Sequence, residues 1–159
     1  MKRERWGVWP FYSAACRRDI DRLLAKGGGL SAYRSSASFP RGPAAGSWAW
    51  RFERDAERIF NVRHVIACAN GTLALIAALR ALDLPSGEVI TTPYTFSATA
   101  AAIRFAGHAP VFADLEPRTF CLDPESVAKV VGPQTRALLP VDLFGVRADY
   151  GKLRAFGLP

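Results

Sequence analysis

The sequence predicts an α/β protein: a three-layer, open, mostly parallel sheet with helices on both faces. Three observations carry this expectation. From Trp48 onward, short apolar runs alternate with segments of helical periodicity, the rhythm of strand–helix–strand units. The runs are continuously apolar instead of alternating with polar residues, as in strands buried on both faces. Half of the 159 residues are hydrophobic, enough to build a sizeable core.

The elements follow in order. Ser13 to Lys26 reads as a helix, with Gly27-Gly28-Gly29 as its stop signal. Ser31 to Ser47 is rich in Ser, Pro and Gly, a long loop of the kind kept for binding or for packing on a partner. Trp48, Phe52, Ala56, Ile59 and Phe60 recur at helical spacing, with Arg51, Arg54, Asp55 and Arg58 between them, which predicts an amphipathic helix. Strands are expected at His64–Cys68, Glu88–Thr92, Pro110–Ala113 and Ala137–Val141. Helices are expected at Thr72–Leu82, Thr95–Phe105, Pro124–Val130 and Tyr150–Phe156. The chain thus divides into an N-terminal helix and long loop, 1–47, and a sheet domain, 48–159.

Composition excludes several classes. No apolar run approaches the roughly 20 residues of a membrane helix. No apolar segment of signal-peptide type follows the charged start Met1–Trp6. A cytoplasmic protein without a membrane partner is expected. Cys16, Cys68 and Cys121 are odd in number and far apart, without a Cys-x-x-Cys pair, and only His64 and His108 accompany them. No metal site or disulfide framework is expected, and Cys68 reads as a small buried hydrophobe. The net charge of +7 resides in residues 1–65, with 13 basic and 6 acidic side chains; the remainder holds 8 of each. The basic residues are interspersed with Asp19, Asp21, Glu53, Asp55 and Glu57, which suits a solvated surface or one that steers an anionic substrate. Nucleic-acid binding is not expected.

Two motifs stand at strand ends, where open α/β sheets bind ligands. Asn70-Gly71-Thr72 opens a helix whose first N–H groups lack intrahelical partners and, with the helix dipole, favour an anion. Gly71 permits close backbone approach and Thr72 offers a hydroxyl. The same residues also read as an ordinary helix start capped by Asn70. Phe96, within Thr92-Pro93-Tyr94-Thr95-Phe96-Ser97, reads either as a ring for stacking on a planar ligand or as core. There is no P-loop, and no Gly-x-Gly-x-x-Gly follows a strand. Asp114, after the third strand, reads as a turn former or as a group reaching the site.

These motifs carry a family resemblance. Asn70-Gly71-Thr72-Leu73-Ala74-Leu75, Pro93-Tyr94-Thr95-Phe96-Ser97-Ala98-Thr99 and Val111-Phe112-Ala113-Asp114-Leu115-Glu116-Pro117 resemble the DegT/DnrJ/EryC1/StrS family of sugar aminotransferases. Supporting matches are Phe52-Glu53, Leu122-Asp123-Pro124-Glu125 and Pro140-Val141-Asp142-Leu143-Phe144-Gly145; Trp9-Pro10 is similar to the subgroup that includes aminohydroxybenzoate synthases. The resemblance covers nearly the whole chain but only about the first two-fifths of a family member.

The resemblance implies a pyridoxal-phosphate enzyme of fold type I, with 48–159 as the first part of its large cofactor-binding domain. Gly71 and Thr72 match the positions that hold the cofactor phosphate, and Phe96 matches the aromatic that stacks on the pyridine ring. Family members move an amino group from glutamate or glutamine to a keto sugar, usually nucleotide-linked, and work as homodimers. The Schiff-base lysine and the aspartate that pairs with the pyridinium nitrogen are expected beyond the chain end, the aspartate directly after a segment resembling Phe156-Gly157-Leu158-Pro159. Lys2, Lys26, Lys129 and Lys152 do not follow strands at their carboxyl ends, so this chain alone is expected to be inactive. Two departures stand out: Asp142 occupies a place where many members have His, and Leu30–Gly46 is long and basic. The alternatives are a non-catalytic anion- or partner-binding module, or the family's dehydratase branch, in which histidine replaces the lysine.

Overall fold

The computed structural model describes Arg18 and residues 47–159. The expected helix Ser13–Lys26, Arg18 apart, and the loop Ser31–Ser47, Ser47 apart, lie outside the described residues. The chain falls into two compact units, Met1–Ala67 and Cys68–Pro159.

In the first unit, helix α1 spans Trp48–Phe60. Ser47 starts it, its Oγ accepting the Trp50 N–H at 3.2 Å, and Asn61 ends it in the left-handed conformation. Its apolar periodicity is present but does not mark its buried face. Glu53 and Ala56 are buried, whereas Phe52, Ile59 and Phe60 are exposed. The expected strand His64–Cys68 does not form. Its alternate N–H groups are taken by carboxylates of α1: Val65 donates to Glu57 Oε1 at 3.2 Å and Ala67 to Glu53 Oε1 at 2.9 Å. That use of the backbone explains why Glu53 is buried, since a buried carboxylate needs donors.

The second unit contains α2 (Gly71–Ala81), β1 (Glu88–Thr91), α3 (Ala98–Ala106), β2 (Ala109–Phe112), α4 (Pro124–Val130), β3 (Thr135–Leu139), a 3₁₀ turn (Leu143–Gly145) and α5 (Tyr150–Arg154). The strands are parallel in the order β2-β1-β3. Side chains alternate across the pleat, so β1 and β3 each feed two cores. Val89 and Ala137 pack with Leu79 of α2 and Ile103 of α3 on one face. Ile90 packs with Val127 of α4 and Leu153 of α5 on the other, beside Val111 and Leu138. The three-layer parallel α/β expectation holds.

The helix Pro124–Val130 has the expected bounds, and the other boundaries shift by at most three residues. The largest shift is at α3, which starts at Ala98 instead of Thr95. Thr92 Oγ1 accepts the Tyr94 N–H at 3.2 Å, and Phe96 C=O accepts the Thr99 N–H at 2.9 Å, so hydroxyl-anchored turns replace the first helical turn. Cys68 is exposed, not buried, because its segment is no strand of the sheet; among the described residues Cys121 is the buried thiol.

Candidate functional site

Helices α2 and α3 pack side by side, and each leads by a short connection into the start of a strand. Their C-termini are tied by Arg80 Nη2, which donates to Phe105 C=O at 2.8 Å. Both helix N-termini therefore share the carboxyl end of the sheet. That placement brings Gly71 and Thr72, at the start of α2, to the same end as Phe96, just before α3.

Asn70 is extended and caps α2: its Oδ1 accepts the Leu73 N–H at 3.0 Å, and its carbonyl accepts the Ala74 N–H at 3.1 Å. The capping reading of Asn70 is correct, and it leaves the Gly71 and Thr72 N–H groups without acceptors among the described residues. Gly71 has ordinary negative φ, and a Cβ built on it meets nothing within 4 Å. The protein's own packing does not require glycine there. The space in front of the first turn is open, as an oxyanion approaching two backbone N–H groups requires.

Phe96 is 79% exposed, so the reading of this ring as core is overturned. Around it, Thr91 and Thr92 are buried at the end of β1. Thr91 Oγ1 donates to Leu139 C=O at 2.7 Å and joins the ends of β1 and β3. Thr95 and Thr99 hydroxyls pair at 2.9 Å. Tyr94 and Phe120 rings lie 6.1 Å apart at 50°, an aromatic contact the sequence did not announce. Phe120 and Phe144 both adopt φ above +50°, an uncommon conformation for bulky side chains. Both lie in loops after β2 and β3 at this same end, and no glycine or asparagine signalled them.

Asp114 forms a turn. Its Oδ1 accepts the Leu115 N–H at 2.8 Å, its carbonyl accepts the Asp123 N–H at 3.0 Å, and its own N–H goes to Ser126 Oγ at 2.7 Å. Asp142 is also committed locally, its Oδ1 accepting the Ala148 N–H and the Tyr150 O–H, both at 3.0 Å. Burial, the Asp142 hydrogen bond and the Asp142 charge together hold the Tyr150 hydroxyl above its ordinary value near 10. Lys129 is exposed on α4. Lys152 is in the first turn of α5, 3.5 Å from Asp149 Oδ2. Among the described residues no three His, Cys, Asp or Glu side chains gather to hold a metal, and no helix is long and apolar enough to cross a membrane.

A parallel sheet with an open helix N-terminus and an exposed aromatic at its carboxyl end is the arrangement of fold type I transferases, and solved structures of that class match it. The structure of NtdA from Bacillus subtilis with bound cofactor PMP aligns with a TM-score of 0.72 at 32% identity, over 89% of this chain and 29% of that one. The chain belongs to the DegT/DnrJ/EryC1/StrS aminotransferase family, whose model matches residues 41–157. The pleiotropic regulatory protein of Geobacillus stearothermophilus is 41% identical over 111 residues, 69% of this chain and 30% of that protein. The 3-oxo-glucose-6-phosphate:glutamate aminotransferase of Bacillus subtilis is 37% identical over 111 residues, 69% of this chain and 25% of that protein. The chain thus spans about a quarter to a third of the length of these relatives.

Proposed function

We propose that this chain is the cofactor-cradling N-terminal part of a pyridoxal-phosphate-dependent aminotransferase. The complete protein transfers an amino group from glutamate or glutamine to a keto sugar, nucleotide-linked or otherwise, and works in the cytoplasm as a homodimer. The observation that carries this reading is the start of α2, where two unclaimed N–H groups face open space across a glycine that the fold does not need. Residues 48–159 form the first part of the large cofactor-binding domain.

The Gly71 and Thr72 N–H groups and the Thr72 hydroxyl hold the phosphate, with the dipole of an 11-residue helix behind them. Phe96 covers the pyridine ring. Pyridoxal phosphate supplies an electron sink for bonds at the amino-bearing carbon. The chain's own contribution is binding and orientation: β1 and β3 are locked at their carboxyl ends by the Thr91–Leu139 hydrogen bond, and that fixes the turn carrying Phe96. Neither Lys129 nor Lys152 stands directly after a strand, so the covalent anchor comes from outside these residues. On the outer edge of β3, Leu138 donates its N–H to Pro159 C=O at 2.9 Å. Such an alignment suits a next strand bringing the acid that faces the pyridinium nitrogen.

The test compares pyridoxal phosphate with pyridoxal on this chain, followed by glutamate and a keto sugar phosphate. Phosphate-dependent binding without amino transfer is expected. Turnover would place the lysine within these residues, and equal binding of the two forms would remove the phosphate cradle. In the full coding sequence, a histidine at the anchor position would assign the dehydratase branch instead.

A further inference from the structure

The turn between β1 and α3 spends its hydroxyls in an unusual way. Ser97 stands at the N-cap position of α3, yet its backbone is already helical and its side chain caps nothing. Helix starts ordinarily gain from a serine in that place. The hydroxyl in use belongs instead to Thr99, which lies in the first turn of α3 and is only 6% exposed. Its Oγ1 is 2.9 Å from Oγ1 of Thr95, one hydroxyl donating to the other. A threonine in a helix commonly returns its hydroxyl to the carbonyl four residues back. Here the partner four residues back is a side chain that precedes the helix.

Thr99 consequently holds Phe96 from both sides. Its N–H donates to the Phe96 C=O at 2.9 Å, and its hydroxyl pairs with the residue that precedes Phe96. On the strand side, Thr92 is buried and its Oγ1 accepts the Tyr94 N–H. Hydroxyls buried in this way are costly unless they are bonded, and each of these is. The ring at the centre of the network is nevertheless exposed, so core packing does not set its direction. The backbone of residues 95–99 does, and the Thr95–Thr99 bond ties that backbone across the ring-bearing residue.

We propose that Thr99, through its bond with Thr95, is a positioning residue for the Phe96 ring and thereby raises cofactor affinity. The inference rests on the reading of Phe96 as the ring that covers the pyridine. A ring presented in advance stacks at little entropic cost, whereas a turn that must be ordered on binding lowers affinity. Thr99 is buried, so its effect passes through Phe96 and not through a contact of its own with the cofactor.

The experiment is a double-mutant cycle on this chain. It measures equilibrium binding of pyridoxamine phosphate, the amino form of the cofactor, which forms no bond to lysine. Thr99→Val keeps the side-chain shape and removes the hydroxyl; Thr95→Val removes the same bond from its half-buried end. Each should weaken binding by about three- to tenfold, close to the loss in Phe96→Ala. Thr99→Ser should restore it. In the Phe96→Ala background Thr99→Val should cause no further loss, the mark of an effect that passes through the ring. Losses that multiply instead would make Thr99 a support of the fold at large and overturn the proposal. Parental affinity in both valine variants, with weak binding by Phe96→Ala, overturns it too and leaves the cofactor reading standing. Parental affinity in Phe96→Ala removes the cofactor reading and this inference together.

Discussion

The same substitution, glycine to alanine, should have opposite consequences at two positions. At Gly87 the added Cβ would sit 2.5 Å from the Gln134 carbonyl oxygen. That oxygen is backbone, and it accepts the Glu88 N–H at 2.8 Å where β1 and β3 begin to pair. It cannot swing aside as a side-chain tip would. Relief requires the strand ends to part, at about 1–3 kcal/mol for overpacking, with about 1 kcal/mol more for the stretched hydrogen bond. Gly87→Ala should therefore cost roughly 2–4 kcal/mol. At Gly71 the Cβ meets nothing within 4 Å, and alanine restricts the unfolded chain, so Gly71→Ala should gain up to about 1 kcal/mol. Urea denaturation of the two variants against the parent chain measures both. The functional corollary is that Gly71→Ala weakens pyridoxal phosphate binding even as it stabilises. If Gly71→Ala were stabilised with cofactor affinity unchanged, the glycine would have no part in the phosphate cradle. If Gly87→Ala were neutral, the account of the β1–β3 start would be wrong.

Other outcomes can be checked on the same chain. Phe96→Ala removes an exposed ring and should change stability by less than about 0.5 kcal/mol, while pyridoxal phosphate affinity falls; a ring buried in the core would give the reverse. Asp123 caps α4 by accepting the Glu125 and Ser126 N–H groups at 3.1 and 3.0 Å, so Asp123→Ala should cost about 1 kcal/mol in the denaturation midpoint. The Tyr150 hydroxyl is held above its ordinary value, chiefly by burial and then by Asp142. The stability this confers is complete below the unfolded tyrosine's pKa and is lost as pH rises toward the folded one. Denaturation measured between about pH 9 and 11 should show that decline, and Tyr150→Phe should remove it.

The parts of the fold that were legible in the sequence are those where local pattern and tertiary environment agree. Val89-Ile90 and Ala137–Leu139 read as strands buried on both faces because they are, successive residues going to alternate cores. Pro124–Val130 was bounded correctly because Asp123 and Pro124 punctuate its start. His64–Cys68 has the same apolar texture, yet two carboxylates one and two turns up the preceding helix claim its N–H groups. No window of sequence shows that competition. The α1 stripe misled in the same way, since Glu53 is buried to serve that segment while three large apolar side chains are not. At the site, Gly71, Thr72 and Phe96 were visible through the turn motif and the family resemblance. The Tyr94–Phe120 contact was not, because it depends on the meeting of segments about 25 residues apart, seen only in the packed loops.

The two hydrophobic clusters share no residue. In evolutionary terms the molecule carries two separate ledgers of permitted change. Replacements at Leu79 or Ile103 are judged against one set of neighbours, and those at Val127 or Leu153 against another. The adjacent pairs Val89-Ile90 and Ala137-Leu138 each stand in both through one stretch of backbone. Drift on either flank can proceed without repair on the other, so descendants of this chain should vary most in the helices of one layer at a time and least along β1 and β3.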